Sequence, residues 1–270
     1  MVCYNFIMEK EKKIVVISGA TSGLGMAIAK RFEADGHIVC NLARSCSDNG
    51  FDYRCDVTDP EQVASAVGKI GERYGRIDVL VNNAGIGISG ATELIPMENI
   101  RAAMEVSYFG SLNLTRACLR FMNKGARIIF MSSIAGLTAI PFRSVYCSAK
   151  SAELMLGESL RMELSQTGIS VVTLCPGEIK TNFSANKLAD IQTTERYGKR
   201  VTNALEKVSS REGKRMTIDK VIGKIYKICT RGRKAMYIIG GKYKFLYFAK
   251  RIMPTTMYLK LTDKMLGGRE

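Results

Sequence analysis

Short apolar runs alternate with segments of helical spacing along most of the 270-residue chain. The first run, KIVVISG at 13–19, is rich in β-branched residues and ends in glycine, which is typical of a strand buried on both faces. Later runs predict six more strands, at 37–44, 52–57, 77–85, 127–133, 169–177 and 235–241. The segments between them predict helices at 23–34, 60–73, 97–122, 144–166 and 217–229. This alternation predicts an α/β fold in one domain, with a parallel, doubly wound sheet of about seven strands and helices on both faces.

The composition is that of a soluble globular protein. Apolar residues make up 46% of the chain and charged residues 24%, and no apolar run reaches the roughly 18 residues of a spanning helix. Residues 1–12 lack the apolar length of a secretion signal and are interpreted as an N-terminal extension. The eight cysteines form no CxxC pair, so we expect reduced thiols in a cytoplasmic protein. Without a His or Cys cluster, no metal is expected.

The net charge of +15 is confined to the last third of the chain. Residues 180–270 contain 22 Lys and Arg against 7 Asp and Glu, whereas residues 1–179 contain 18 of each sign and are neutral. This asymmetry indicates an anionic partner, such as a membrane lipid, an acidic carrier or a phosphorylated substrate, but it is equally consistent with a solvated basic face. No recognisable nucleic-acid reader is present, and we expect no nucleic-acid partner.

Two segments of this basic third have patterns of their own, beside a main domain at 13–241. Residues 182–214 are polar, basic and weakly patterned, which suits a mobile lid over a site. Residues 242–270 mix aromatic, Leu, Ile and Met residues with lysines, and Pro254 should divide them into two pieces. This amphipathic tail is expected either to lie peripherally on an anionic membrane or to pack on a subunit interface.

A glycine-rich turn follows the first strand. In SGATSGLG at 18–25, Gly19, Gly23 and Gly25 stand at the junction between strand and helix. Glycines there let the backbone approach a pyrophosphate, and the helix N-terminus supplies N–H donors and the positive end of its dipole. A turn of this kind can also be purely structural.

A tyrosine and a lysine on a predicted helix form the second motif. Tyr146 and Lys150 are four residues apart and therefore share a helix face. An ammonium beside a phenol favours the phenolate and lowers the phenol's pKa from its reference of about 10, which suits proton exchange with a carbonyl near neutral pH. Ser133, thirteen residues before the tyrosine, can hold that carbonyl oxygen.

Together these motifs resemble the short-chain dehydrogenase/reductase family. The glycine turn is followed in order by NNAG at 82–85, Ser133, YxxxK at 146–150 and PGxxxT at 176–181, and the resemblance covers roughly residues 12–240. Five motifs at matching distances are far more specific than any one of them. The resemblance implies a single Rossmann-type domain that uses NAD or NADP and interconverts alcohols and ketones without a metal.

The resemblance also implies roles for the matching positions. Tyr146 becomes the catalytic acid/base, Lys150 the residue that binds the nicotinamide ribose and favours the phenolate, and Ser133 the partner of the carbonyl oxygen. Ser107 stands where the family usually has an asparagine that anchors a water of the proton relay, and a serine can still bond a water. The cofactor-binding positions, besides Tyr146 and Lys150, are Gly19, Ser22, Gly23, Leu24, Gly25, Asp56, Val57, Asn83, Ala84, Gly85, Pro176, Gly177, Ile179 and Thr181.

The end of the second predicted strand indicates which cofactor is used. NAD enzymes place a carboxylate there for the ribose diol, whereas this chain has Arg44 and Ser45, which suit a 2′-phosphate. Asp48 lies further along and is the weaker rival for the diol. We therefore expect NADP(H) rather than NAD(H), and hence a reductase.

The substrate follows less directly from the sequence. Most residues expected at the pocket are apolar, which favours a small lipophilic carbonyl or alcohol such as a steroid or a lipid-like ketone. They are Ile134, Ala135, Ile140, Phe142, Val145, Gly177 and Glu178. Two alternatives remain, a β-ketoacyl thioester reductase acting on an acidic carrier or a coenzyme A ester, and a non-catalytic dinucleotide sensor. The helices at 97–122 and 144–166 are expected to pair in a homo-oligomer, either a dimer or a tetramer.

Overall fold

The fold is built on a seven-stranded parallel sheet. The computed structural model describes residues 12–45, 51–181, 188–189, 192–210, 213 and 215–268. The strands are β1 Ile14–Ser18, β2 Ile38–Ala43, β3 Asp52–Arg54, β4 Val79–Asn82, β5 Ile88–Ser89, β6 Arg127–Met131, β7 Ser170–Pro176, β8 Leu188–Ala189 and β9 Met236–Ile239. The large sheet has the order β3-β2-β1-β4-β6-β7-β9, and β5 pairs with β8 separately. From β1 the chain adds β2 and β3 on one side and then crosses to add β4 on the other side of β1. This switch in strand order opens a crevice at the carboxyl ends of β1 and β4.

Helices cover both faces of this sheet. They are α1 Gly23–Ala34, α2 Pro60–Tyr74, α3 Met97–Met104, α4 Gly110–Leu119, α5 Ile134–Leu137, α6 Ser144–Glu163, α7 Arg200–Ser209, α8 Ile218–Arg231, α9 Gly241–Ile252 and α10 Thr255–Leu266. A π-helical turn at Glu105–Phe109 joins α3 to α4. The helix α2 begins where expected, because the Asp59 carboxylate accepts hydrogen bonds from the N–H groups of Glu61 and Gln62 and Pro60 opens the first turn.

The apolar first strand is explained by these two covered faces. Ile14 and Val16 are buried in a core cluster with residues of α2 and α4, whereas Val15 and Ile17 are buried in a second cluster with residues of α1 and α8. Successive side chains of a strand point to opposite faces, so a strand covered on both sides is apolar along most of its length rather than at alternate positions.

The seven strands and five helices expected from the sequence are all present, with one helix interrupted. The predicted helix at 97–122 is wrong as a single α-helix, because the π-helical turn divides it and its last α-helical residue is Leu119. The turn widens the helix by one residue and contains Ser107, which is buried. Insertions of this kind are frequent at functional sites.

The last part of the chain contains helices that the sequence pattern did not predict individually. The tail is divided at Pro254 as expected, with α9 before it and α10 after it. The helix α7 lies inside the predicted lid, whose residues 182–187, 190–191, 211–212 and 214 fall outside the described residues. Arg200 at the start of α7 pairs with Asp263 of α10 at 2.9 Å. Residues 1–11 of the predicted extension and Asp48 also lie outside the described part of the chain.

Candidate active site

A cavity of about 1140 Å³ lies at the carboxyl ends of the central strands. Every residue predicted above for catalysis or cofactor binding lines it, with the exception of Ser107. The sheet brings these residues together because the ends of β1, β2, β4, β6 and β7 all face the same edge. Gly19 and Thr181, which are 162 positions apart in sequence, thus line the same cavity.

The glycine turn forms the floor of the cavity and leaves no room for side chains. A Cβ on Gly25 would lie 2.4 Å from Asn83 Nδ2 and 2.5 Å from the carbonyl oxygen of Gly19. Gly19 and Gly23 have φ angles of 69° and 58°, which favour glycine. The close backbone and the N-terminus of α1 fit a dinucleotide pyrophosphate, so the residues present are suited to the cofactor that the sequence implies.

The turn after β4 is tied to this glycine turn. Asn83 Nδ2 donates hydrogen bonds to the carbonyl oxygens of Ser18 at 3.0 Å and Gly19 at 3.1 Å. In return, Ser18 Oγ accepts the N–H groups of Asn83 and Ala84, both at 3.0 Å. The Ser18 hydroxyl therefore joins the two turns where they meet.

Arg44 and Ser45 follow β2 and are exposed in the cavity wall. Among the described lining residues, the carboxylates are Asp56 and Glu178. Asp56 Oδ1 already accepts bonds from the N–H and hydroxyl of Thr58, at 3.0 and 2.8 Å. Arg44 is thus the charged side chain that directly follows β2 in the described part of the cavity wall.

The two serines after β6 are used differently. Ser132 is buried, and its hydroxyl donates to the carbonyl oxygen of Lys150 at 2.7 Å. Ser133 caps α5, where its Oγ accepts the N–H of Ala135 at 3.1 Å. The hydroxyl proton of Ser133 therefore remains available for a group in the cavity, which agrees with the choice of Ser133 over Ser132.

Tyr146 and Lys150 lie on consecutive turns of α6, on the same face of the helix. Tyr146 is half-buried in the cavity wall, whereas Lys150 is 3% exposed. Burial lowers the pKa of Lys150, but the charge of Glu153 and the proximity of Tyr146 outweigh it, so the pKa is raised from its ordinary value. Lys150 therefore remains an ammonium beside the phenol. Burial raises the pKa of the neighbouring Cys147 thiol, which argues against a nucleophile there.

Glu153 is a member of this site that the sequence reasoning missed. Its Oε2 accepts a hydrogen bond from Lys150 Nζ at 2.7 Å, and its side chain is fully buried. Burial raises the pKa of its carboxyl to about 7, although Lys150 and Ser111 act in the opposite direction. The only available signal was the i,i+3 spacing from Lys150.

Ser107 lies behind the cavity wall rather than in it. Its side chain is fully buried, and its Oγ has no hydrogen-bond partner among the residues that the structure describes. A Cβ on Gly85 would lie 3.6 Å from Ser107 Oγ and 3.3 Å from Lys150 Nζ, so the serine and the lysine flank the same glycine.

A further part of the cavity wall, here called the tail wall, comes from the tail helices α9 and α10, which the sequence reasoning did not connect to the site. Tyr243 lies so close to Gly177 that a Cβ there would meet its ring at 1.8 Å, and its hydroxyl donates to Glu178 at 3.0 Å. Tyr258 of α10 bonds the Thr138 hydroxyl at 2.8 Å. The lining residues from this part are Gly241, Lys242, Tyr243, Phe245, Leu246, Tyr258, Thr262, Met265 and Leu266.

Two of the expected pocket residues do not line the cavity. Phe142 has a φ of 58° and packs with Tyr197 and Arg200 instead. Val145 is buried in a separate cluster. Ile134, Ala135, Ile140, Gly177 and Glu178 do line it.

Comparisons with known proteins agree with this geometry. A family model described as short chain dehydrogenase matches residues 13–192. The chain is 38% identical over 182 residues to 3-ketodihydrosphingosine reductase of Bacteroides thetaiotaomicron, covering 66% of this chain and 68% of that protein. It is 31% identical over 280 residues to the uncharacterized oxidoreductase YusZ of Bacillus subtilis, covering 94% and 99%. A short-chain dehydrogenase structure from Streptomyces avermitilis has a TM-score of 0.79 and 27% identity, covering 94% of this chain and 96% of that one.

Proposed function

The chain belongs to the short chain dehydrogenase family of oxidoreductases, and we propose that it reduces a lipophilic ketone to a secondary alcohol with NADPH. The observation that carries this proposal is one cavity that is lined both by Ser133, Tyr146 and Lys150 and by largely apolar side chains from α9 and α10. The glycine turn at the floor suits the dinucleotide.

In this mechanism, a bound nicotinamide dinucleotide supplies the hydride. Tyr146 donates its phenolic proton to the developing alkoxide, and the Ser133 hydroxyl donates a hydrogen bond to the same oxygen. Lys150, which the buried Glu153 holds as an ammonium, stabilises the phenolate left on Tyr146. Reprotonation of that phenolate then restores the neutral tyrosine.

Preference for NADP(H) over NAD(H) is supported by the cationic end of β2. Arg44 and Ser45 line the cavity beyond the glycine turn, and a guanidinium is well matched to a phosphate. Asp56, one of two described lining carboxylates, is already bonded to Thr58.

A lipid-like substrate is supported by the tail wall. Phe245, Leu246, Met265 and Leu266 present apolar surface to the cavity, which favours a ligand with an apolar body. The name of the similar 3-ketodihydrosphingosine reductase indicates a long-chain ketone, and a steroid of similar bulk is the other member of the same class.

A second candidate is the reduction of a β-ketoacyl thioester on an acidic carrier or coenzyme A. Arg143, one turn before Tyr146, lines the cavity, and its buried Nε has no hydrogen-bond partner in the structure. Arg215 and Lys242 also line the cavity. Such cations fit the phosphates of a carrier-bound substrate.

We also propose that the tail contacts an anionic membrane. Phe248 and Ile252 of α9 are 58% and 66% exposed, beside Lys244 and Arg251. Exposed apolar side chains flanked by lysines and arginines are typical of an interfacial helix. Among the described residues, no helix has the length and apolar character needed to cross a bilayer.

Pairing of two subunits through the long helices is supported by exposed apolar side chains on them. Phe109, Met155 and Met162 are exposed on the π-helical turn and on α6. Light scattering after size-exclusion chromatography tests this part of the proposal, and a monomer at micromolar concentration would reject it.

A panel of ketones with NADPH and NADH is the decisive experiment for the activity. The panel contains 3-ketodihydrosphingosine, steroid ketones, acetoacetyl-coenzyme A and a carrier-bound β-ketoacyl thioester, and loss of nicotinamide absorbance is followed. We expect the highest kcat/KM for a long-chain or steroid ketone with NADPH. A higher value for the thioesters favours the second candidate, and cofactor binding without turnover of any member indicates a non-catalytic sensor.

A further inference from the structure

The Lys150 ammonium is held inside the protein by two acceptors from different elements. Its Nζ donates to the carbonyl oxygen of Met131, the last residue of β6, at 2.8 Å and to Glu153 Oε2 at 2.7 Å. Both charged side chains are almost completely inaccessible, at 3% exposure for Lys150 and 0% for Glu153. An ammonium has three N–H donors, so one remains for the cavity that Lys150 lines.

Ser107 does not share this task. Its Oγ and Lys150 Nζ approach the same point beside Gly85, yet Ser107 Oγ makes no hydrogen bond in the structure. Glu153 instead connects the lysine to this region through Ser111 of α4. The Ser111 hydroxyl lies 3.4 Å from Glu153 Oε1 and 2.9 Å from the carbonyl oxygen of Ser107.

The surroundings of Glu153 contain few other charges. From α6 itself, Lys150 bonds it and Tyr146 interacts with that lysine. From β7, the Cys175 thiol faces the pair, and burial raises its pKa to about 12, so it is neutral at physiological pH. From α4 and β6, the groups that meet the pair are the Ser111 hydroxyl and the Met131 carbonyl.

We propose that Glu153 is a positioning residue of the active site, which holds Lys150 Nζ beside Gly85 and offsets part of its charge, and thereby sets the pH at which Tyr146 loses its proton. This role rests on the proposed proton transfer by Tyr146.

The direction of the effect follows from Coulomb attraction. While Glu153 is ionised, the ion pair is neutral as a whole and its pull on the phenolate is weak. When the carboxyl is protonated or replaced by an amide, the ammonium is unopposed and favours the phenolate more strongly. Burial raises the pKa of Glu153 and the pKa of Lys150 is raised as well, so Glu153 is the member that changes charge as the pH falls.

Ionisation of Tyr146 can be measured directly by NMR of full-length protein labelled with [ζ-13C]tyrosine. The Tyr146 resonance is identified by its loss in Tyr146→Phe. We expect Glu153→Gln to lower the ionisation midpoint of Tyr146 by about one pH unit, and Glu153→Asp to keep it close to wild type because the carboxylate remains. Glu158→Gln, on the same helix but without a bond to Lys150, is the matched control and should leave the midpoint unchanged.

A purely structural Glu153 predicts a different outcome. Glu153→Gln would then reduce the melting temperature while the Tyr146 midpoint stayed in place, and this result would overturn the proposal. If Glu153→Gln does not fold, the wild-type titration decides. Its Tyr146 resonance should then show a second, smaller step near pH 7, where Glu153 titrates, and absence of that step also rejects the proposal. The titration of Tyr146 needs no substrate, so it can be interpreted even if the protein reduces no ketone of the panel.

Discussion

The two walls of the cavity are built by different means. The part proposed to bind the dinucleotide, here called the cofactor wall, is backbone at close range, where Gly25 admits no side chain and the turns at Ser18 and Asn83 bond each other. The tail wall is made of side chains from α9 and α10, several of which are exposed. A ligand common to a whole family needs the first kind of wall, since backbone geometry changes little with sequence. A ligand particular to this chain is selected by the second kind, because its side chains can vary without disturbing the sheet.

The largest expected effect is at Tyr146, the proposed proton donor, which belongs to neither of these two walls. Tyr146→Phe keeps the ring but removes the phenolic proton, so kcat should fall by roughly 10²–10⁴. The Kd for NADPH, measured by fluorescence titration, should change little. Substantial remaining turnover would contradict the role of Tyr146.

The next test concerns the part of the cofactor wall that distinguishes the two cofactors. If Arg44 binds the 2′-phosphate as proposed, Arg44→Ala removes that charge-assisted bond, and the ratio of kcat/KM for NADPH to that for NADH should fall roughly 10- to 100-fold. Lys30→Ala, on α1 and exposed, is a control for loss of positive charge. An unchanged ratio in Arg44→Ala would show that the preference has another source.

A pair of substitutions separates the walls directly. Gly25→Ala places a Cβ 2.5 Å from the Gly19 carbonyl oxygen, and the Kd for NADPH should rise roughly tenfold. Phe245→Ala truncates an exposed ring of the tail wall and should raise KM for the ketone several-fold without changing the Kd for NADPH. Gly223→Ala has open space around its Cβ and serves as the control. If both variants impaired the same step, the division into two walls would be wrong.

The tail wall also makes a prediction about membranes. Phe248→Ser removes an exposed aromatic that does not line the cavity, and binding to phosphatidylserine vesicles at low salt should weaken several-fold in co-sedimentation. Met97→Ser changes an equally exposed residue of α3 and should have no effect. Absence of binding by the wild-type protein at low salt would end the membrane proposal.

The smallest effect is expected in the dependence of stability on pH. The folded-state pKa of Glu153 is raised by burial from 4.5 to about 7. A group with a raised pKa contributes stability that is complete below its unfolded value and is lost as the pH rises through its folded value. The melting temperature of wild type relative to Glu153→Gln should therefore decline between about pH 4.5 and pH 7. A constant or rising difference would contradict the raised pKa.

The sequence predicted the sheet correctly, and it predicted the glycine turn that lines the cavity, because both depend on short segments. An apolar run such as Ile14–Ser18 indicates a strand covered on both faces, and the glycines that follow it indicate a close-packed turn. The helix at 97–122 was predicted without its interruption, because a π-helical turn retains helical periodicity on either side. Phe142 was misplaced because its left-handed backbone conformation turns it toward Tyr197.

The spacing of Ser133, Tyr146 and Lys150 indicated the family and the site, since helix geometry brings Tyr146 and Lys150 together whatever surrounds them. Which carboxylate holds that lysine, and which helices close the cavity, depended on packing between distant parts of the chain. Glu153 becomes the partner of Lys150 because that face of α6 is buried against β6 and α4. Tyr243 and Tyr258 reach the site because α9 and α10 fold back onto Gly177 and Thr138. Local periodicity does not predict such contacts, because they join distant segments and stabilise the protein only once the elements are packed together.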